Sequence, residues 1–324
     1  MLTPSEKKDK WLADRLAYMT GSTAGACAGL SPYDCAAGVA LEKVGQRDPA
    51  PDSERFFWGH ALEPLVLKRA AFKLPGEIAS WQMDSEPTLR VHPEHPWMAC
   101  TVDGMYTTPS GELGVLEAKT VDPWAFYGWD PYPAYYAAQV QWNMDVCGVA
   151  RSVLCVLVGN FWQFVCFIIE ADPVVQAALR SANKRVWDAA KSGDIAQLVD
   201  FEHPKTPDAL LALYPNGEPV DARQPVQQID CPKLTSACIE LDRIKSEMSA
   251  LKAERAAIEN RLRAELGPVQ VAQIGPYRVK WANATTSRLD KKALQAEAPQ
   301  LVKKHTHQAA TRRLTVKNTH TAEP

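Results

Sequence analysis

The sequence has no uninterrupted apolar run of the roughly 18 residues that a membrane helix needs. Its nearest approach, residues 146–169, is broken by Arg151, Asn160 and Gln163. It has no Cys-x-x-Cys pair among its eight cysteines, so a zinc ribbon or an iron–sulfur cluster has little support. Most of these cysteines sit among apolar neighbours, where a free thiol behaves as a small hydrophobe, which fits a reducing compartment. The opening MLTPSEKKDKWLADR lacks the apolar centre of a signal peptide, and a cytoplasmic location is expected. Strong net charge is lacking too: the formal sum is −2, which excludes a uniformly basic nucleic-acid coat. What is there is ordinary for a folded chain: 324 residues, 46% hydrophobic and 23% charged, enough for one large domain or two smaller ones.

The small sum conceals a division. Residues 278–317 hold ten Lys+Arg against two Asp+Glu, a net of +8. Residues 1–277 hold 26 Lys+Arg against 35 Asp+Glu, a net of −9. An acidic body with a basic end makes nucleic acid a candidate partner. Six prolines between Pro204 and Pro232 preclude a regular helix or central strand across that stretch. The expected domains are therefore 1–200, a linker over 201–232, and a C-terminal module over 233–324. In that module Leu241, Ile244, Met248, Leu251, Ile258 and Leu262 follow a 3–4 spacing. They predict an amphipathic helix, either a short coiled coil or a helix packed on its own domain, with Arg255 interrupting the seam. Gly267-Pro268 ends it, and VQVAQI, GP, YRVKWA reads as a hairpin. A short helix over 289–296 and a basic strand, RRLTVK, follow.

In the body, residues 54–72 read as a helix, with Pro64 starting or kinking a turn. Strands are expected at 78–91, 97–107 and 113–120, a helix at 133–148, strands RSVLCVLV and FWQFVCFII around a Gly159-Asn160 turn, and a helix at 173–191. This order predicts a mixed α/β layer architecture.

Between residues 91 and 150 there are seven acids and a single base, Lys119. Lys119 lies two residues after Glu117 in GVLEAKT, so on a strand the two project from one face. Asp103 lies on the preceding strand in MACTVDGM and can approach Glu117 if the strands pair. Two close carboxylates repel unless a cation lies between them, and hard oxygen ligands suit Mg²⁺ or Mn²⁺. Such an ion with an adjacent ammonium is equipment for phosphodiester hydrolysis. An exposed acid–base pair on a strand face has the same spacing, so spacing alone leaves both readings open. WGHALEP puts Glu63 at an expected helix break, where it serves as a further ligand or as a helix-start acid; Gly59 before it admits a close backbone approach. AAQVQWNMDV puts Gln139 on the next helix, within reach of the lysine, a water or a phosphate.

Together, WGHALEP, TVDG, LEAK and AAQVQWNM, preceded by DRLAYMTGSTAGACAGLSPY, resemble the lambda-exonuclease/YqaJ-like viral recombinase family of the PD-(D/E)XK nucleases. The resemblance covers roughly residues 10–190. It implies a restriction-endonuclease-like core, a mixed sheet flanked by helices, and Mg²⁺-dependent 5′→3′ digestion of one strand of linear duplex DNA. It implies Glu63, Asp103, Glu117 and the Ala118 carbonyl as metal ligands, for two ions. Lys119 matches the catalytic lysine and Gln139 the helix glutamine; Arg15 and Ser22 match a 5′-phosphate pocket. It further implies a trimeric ring and a single-strand annealing protein as partner. A second metal-site aspartate expected ten residues before Asp103 is replaced by Pro93, with Glu94 beside it. Rival readings are an endonuclease of the same chemistry and a nuclease-fold DNA-binding or scaffold protein without turnover.

The acidic body leaves few cations for duplex DNA, whose binding rests on cations meeting phosphates. The candidates are Arg15, Arg55, Lys68, Arg69 and the basic end. The aromatic stretch WAFYGWDPYPAYY reads as packing or an interface in preference to a base-stacking platform.

Overall fold

The computed structural model of the chain describes residues 13–49, 53–83, 88–159, 163–216, 229–285 and 289–306. The chain divides into two compact units, Met1–Asn216 and Gly217–Pro324.

The first unit opens with β1 (Met19–Thr20), α1 (Gly21–Cys27) and α2 (Ala36–Lys43). The long α3 (Glu54–Lys73) starts at Ser53, whose hydroxyl accepts the Phe56 N–H as an N-cap. α3 runs through Pro64, which corrects the helix break expected at Glu63. Pro64 and His60 are both exposed, so water can meet the His60 carbonyl that the proline ring leaves without a partner. Gly59 has no neighbour within 4 Å of an added Cβ, and the close approach expected there is not made.

Five strands follow: β2 (Ser80–Gln82), β3 (Arg90–Val91), β4 (Met98–Cys100), β5 (Gly104–Thr107) and β6 (Leu113–Val121). Then come α4 (Pro123–Tyr127), α5 (Ala134–Cys147), β7 (Arg151–Val158), β8 (Gln163–Glu170) and α6 (Pro173–Ser192). A last helix, α7 (Thr206–Leu213), lies inside the expected linker and corrects its start. Pro207 sits in the first turn of α7, where a missing N–H costs nothing. The Asn160 half of the expected β7–β8 turn lies outside the described residues.

β2, β5, β6, β7 and β8 form one sheet in that order. β6 and β7 pair in parallel and the other neighbours pair antiparallel, so the sheet is mixed. α5 is the crossover between the parallel pair, as such a connection requires. α3 covers one face through Val66, Leu67 and Ala70, which cluster with Leu116, Ala118, Val153 and Cys155. α5 covers the other through Val140 and Met144, which cluster with Val121, Leu154 and Val156. With both faces covered, β7 is a nearly continuous apolar run. The expected mixed sheet flanked by helices is the architecture adopted.

A second sheet, in the order β1-β4-β3, carries the third cluster with α1, α2 and α6. The segments 78–91 and 97–107, expected as single strands, are thus each divided between the two sheets. In the second of them, residues 101–103 leave β4 and enter β5, and this change of sheet brings Asp103 beside β6.

In the second unit, α8 (Pro232–Leu266) is a single helix of 35 residues. The hairpin of β9 (Val271–Ile274) and β10 (Tyr277–Lys280) turns at Gly275, with φ of 57°. Two short helices, α9 (Lys291–Glu297) and α10 (Pro299–Lys304), follow. The segment RRLTVK lies outside the described residues. Among the described residues, no helix is long and apolar enough to cross a membrane.

Gly114 on β6 lies under the buried Tyr106 ring, and an added Cβ would overlap it. Tyr106 cannot swing away freely, because its hydroxyl donates to Glu77 Oε1 at 2.9 Å. Gly114→Ala is therefore expected to destabilise the first unit by about 1–3 kcal/mol through overpacking, read as a lowered urea midpoint. An unchanged midpoint would contradict this packing.

Candidate active site

Strand alternation on β6 turns Leu116 and Ala118 toward α3, and Glu117 and Lys119 toward α5. Glu117 is only 1% exposed, an expensive position for a carboxylate unless donors meet it. Three do. Lys119 Nζ and Gln139 Nε2 donate to Oε1 at 2.5 and 2.6 Å, and Asn143 Nδ2 donates to Oε2 at 3.0 Å. Gln139 and Asn143 are one turn apart on α5, so one helix face supplies both amides. Lys119 also lies over the Tyr136 ring, 5.4 Å from its centroid.

Asp103 Oδ2 accepts the Ala118 N–H at 2.7 Å. β5 pairs with β6 only as far as Leu116, so beyond it that edge of β6 is open. The N–H and C=O of one strand residue point to the same edge. The Ala118 carbonyl therefore points to the open edge that Asp103 occupies.

Charge is poorly balanced here. Burial, then the Asp103 charge, raises Glu117 to about 7 against the opposing pull of Lys119. Burial and then Asp103 also raise Glu63, on α3, to about 7. Asp103 is pushed up by burial, with Lys119 and the Ala118 N–H opposing. Burial alone would lower Lys119, but Glu117 and Asp103 outweigh it and hold the ammonium protonated above the ordinary lysine range. Lys119 thus serves three carboxyl groups, with the His60 charge helping it at Glu63 and Asp103.

The donors fit a hard divalent ion: two carboxylates, a carbonyl and an open edge where water can complete a shell, as Mg²⁺ prefers. Among the described residues, no three His, Cys, Asp or Glu side chains lie close enough to hold one ion together. Such an ion would thus rely on Asp103, Glu117, the Ala118 carbonyl and water, with Glu63 acting on them through its charge. Glu94 is exposed in the turn between β3 and β4, and its charge acts on His92.

The second predicted pair also meets. Arg15 Nη2 donates to Ser22 Oγ at 2.6 Å and to Thr20 Oγ1 at 3.4 Å. Lys43 Nζ, from the end of α2, donates to the Arg15 carbonyl at 2.9 Å. Burial and then the Arg15 charge lower Lys43 to about 8. Two part-buried cations side by side form a corner suited to an anion.

Asn143 joins the two places. Its Oδ1 is buried, has no hydrogen-bond partner, and sits where a Cβ on Gly21 would be. Gly21 separates Thr20 from Ser22, so α5 touches the anion corner with one end of this amide and Glu117 with the other. Asn143, Thr20 and Lys43 escape the sequence reading. Only Asn143 has a signal in the sequence, its i, i+4 spacing from Gln139.

Of the aromatic stretch, Phe126, Trp129, Tyr132 and Tyr136 pack against the α5 cluster. Trp124 and Tyr127, three residues apart on α4, are 85% and 68% exposed. Among the other candidate cations, Arg55, Lys68 and Arg69 are exposed on α3, Arg69 lying over Phe72.

Asn143→Leu leaves a buried carboxylate oxygen without its donor and is expected to cost about 1–3 kcal/mol in metal-free denaturation at neutral pH. No loss would show that the amide does not hold Glu117. Lys43 titrates at about 8 when folded and at 10.5 ordinarily, so between these values the unfolded chain binds more protons. Stability is expected to rise with pH across that window, and Lys43→Met to flatten the slope. Equal slopes in melts from pH 8 to 10.5 would contradict the burial of Lys43.

The chain is similar to known proteins along most of its length. The YqaJ-like viral recombinase domain matches residues 10–150. The Bacillus subtilis protein YqaJ, described as uncharacterized, is 26% identical over 315 residues, covering 93% of this chain and 92% of its own. Among solved structures, the alkaline exonuclease LHK-Exo of Laribacter hongkongensis is 18% identical with a TM-score of 0.45, over 59% of this chain and 95% of that one. A phage-related exonuclease of Haemophilus somnus is 12% identical with a TM-score of 0.41, over 57% and 99%. Every residue of the two clusters, from Arg15 to Asn143, lies within the segment that the YqaJ-like viral recombinase domain matches.

Proposed function

We propose that this chain is a metal-dependent deoxyribonuclease that digests linear duplex DNA from its ends, 5′→3′, leaving single-stranded overhangs. One observation carries the reading: a fully buried Glu117, fixed by Lys119, Gln139 and Asn143, beside Asp103 at an open strand edge. A chain that only bound DNA would have no need to bury that carboxylate beside a second one.

The roles follow from the chemistry. Mg²⁺ or Mn²⁺, as one or two ions held by Asp103, Glu117 and the Ala118 carbonyl with Glu63 beside them, would supply Lewis acidity and a more acidic water. Lys119, held protonated, presents an ammonium to the phosphoryl oxygens and orients the attacking water without itself taking a proton. Gln139 keeps Glu117 in one rotamer and turns its amide toward the substrate side. Arg15 and Ser22 bind the 5′-phosphate of the strand being cut, and a terminal anion pocket sets polarity by admitting an end. The acidic body leaves the duplex to Arg55, Lys68, Arg69 and the basic residues 278–317.

The domain's kinship with viral recombinases supports a role in recombination by strand annealing. A single-strand annealing protein would take the overhang in the cytoplasm, and the nuclease would work as a homo-oligomer, a trimeric ring by resemblance.

The test is digestion of linear duplex with 5′-phosphate or 5′-hydroxyl ends, with Mg²⁺ or with a chelator. Nucleotide release is expected with Mg²⁺ only, faster from 5′-phosphate ends, and reduced about 10²–10³-fold in Lys119→Ala. No release from any linear duplex would overturn the enzymatic reading, and cutting of closed circles would overturn the exonuclease.

A further inference from the structure

The nuclease reading gives no role to the largest element of the second unit, a helix left exposed among the described residues. α8 spans 35 residues, about 50 Å at 1.5 Å per residue. A strict seven-residue frame runs along it. The first core position holds Leu234, Leu241, Met248, Arg255 and Leu262; the second, three residues on, holds Ala237, Ile244, Leu251, Ile258 and Glu265. Leu234, Met248, Leu251 and Ile258 are 55%, 52%, 63% and 50% exposed. An apolar seam at a 3.5-residue period, here interrupted at Arg255 and ending before Glu265, is the pattern that supercoils helices around one another.

We propose that this seam is a self-association surface, on which α8 pairs in parallel and in register with α8 of further copies of this chain. The flanking charges select that occupant. In a parallel arrangement, Glu240 of one copy faces Lys245 of the next, and Glu247 faces Lys252. An antiparallel arrangement on the same apolar layers sets Glu247 against Glu254 and Lys245 against Lys252, which repel. The next parallel pair, Glu254 with Glu259, is of like charge; within the helix Arg243 meets Glu240 and Glu247, as Arg255 and Arg263 meet Glu259, so the pairs between copies would share these carboxylates. Arg255 in the core thus costs apolar contact and fixes register, the use for which one polar core residue is best attested.

The core also selects the number of strands. Leucine at the first position with isoleucine at the second disfavours two strands and favours three or four. Half of the ten core positions follow that pattern, Leu234, Leu241 and Leu262 at the first and Ile244 and Ile258 at the second. The surface is argued from the second unit alone and stands whether or not the first unit is a nuclease.

Cysteine cross-linking of the full chain tests it. A disulfide needs Cα atoms within about 7 Å, which in a parallel, in-register bundle holds for equivalent core residues only. Leu251→Cys is expected to form disulfide-linked dimers under mild oxidation, well above the unsubstituted chain. Ala253→Cys, on the outer face, is expected to stay at that baseline. Equal yields from the two would overturn the proposal. Sedimentation of the unsubstituted chain should give a mass of three or four chains, falling in the double variant Leu251→Asp, Ile258→Asp. A mass of one or two chains, or one that the double variant does not lower, would also overturn it.

Discussion

A carboxylate buried in the middle of a sheet governs this molecule. Glu117 is almost fully out of water, and its nearest charges are one lysine and two more carboxyl groups. Everything placed around it answers that cost. β6 supplies Lys119 on the same face, α5 supplies two amides from successive turns, and the open edge of β6 leaves room for Asp103. The ledger still does not balance in the protein alone, because both Glu63 and Glu117 sit near 7 and Asp103 is also raised. A site so short of positive charge supports the proposal that a divalent ion, the form of it that hard oxygen donors take, binds here.

The scaffold follows from the same need. A parallel β6–β7 pair requires a crossover helix, and that helix is α5, which therefore lies against the face bearing Glu117. The change of sheet between β4 and β5 carries Asp103 to the free edge. α1 is made of small residues, and its first, Gly21, lets Asn143 come within contact of the chain that holds Arg15, Thr20 and Ser22. The two clusters thus share one amide. A positive corner and a negative centre then lie on either side of one side chain, which suits a substrate with a terminal phosphate and a nearby scissile one.

Much of this is legible in the sequence because it is local. Glu117 and Lys119 share a strand face by simple alternation, and the helix that carries Gln139 reads clearly from its pattern. The 35-residue helix announces itself by its spacing, although the antiparallel alternative could be weighed only once its seam was seen uncovered. What escapes is what depends on tertiary placement. Lys43 meets Arg15 across 28 residues of sequence, and no spacing rule reports that. Proline misleads twice, at Pro64, which a helix carries through its exposed side, and at Pro207, which starts a helix inside a stretch that reads as linker. The division of residues 97–107 between two sheets is invisible as well, since β4 and β5 share one strand-like pattern.

The central claim is that Glu117 and Asp103 are held, at a cost, for a divalent ion. Calorimetric titration of the full chain with Mn²⁺ at pH 8, without DNA, tests it without relying on turnover. The account predicts saturable binding that Glu117→Gln weakens by about 10–100-fold or more, with Ser22→Ala unaffected. Equal Mn²⁺ affinity in the unsubstituted chain and in Glu117→Gln would contradict it.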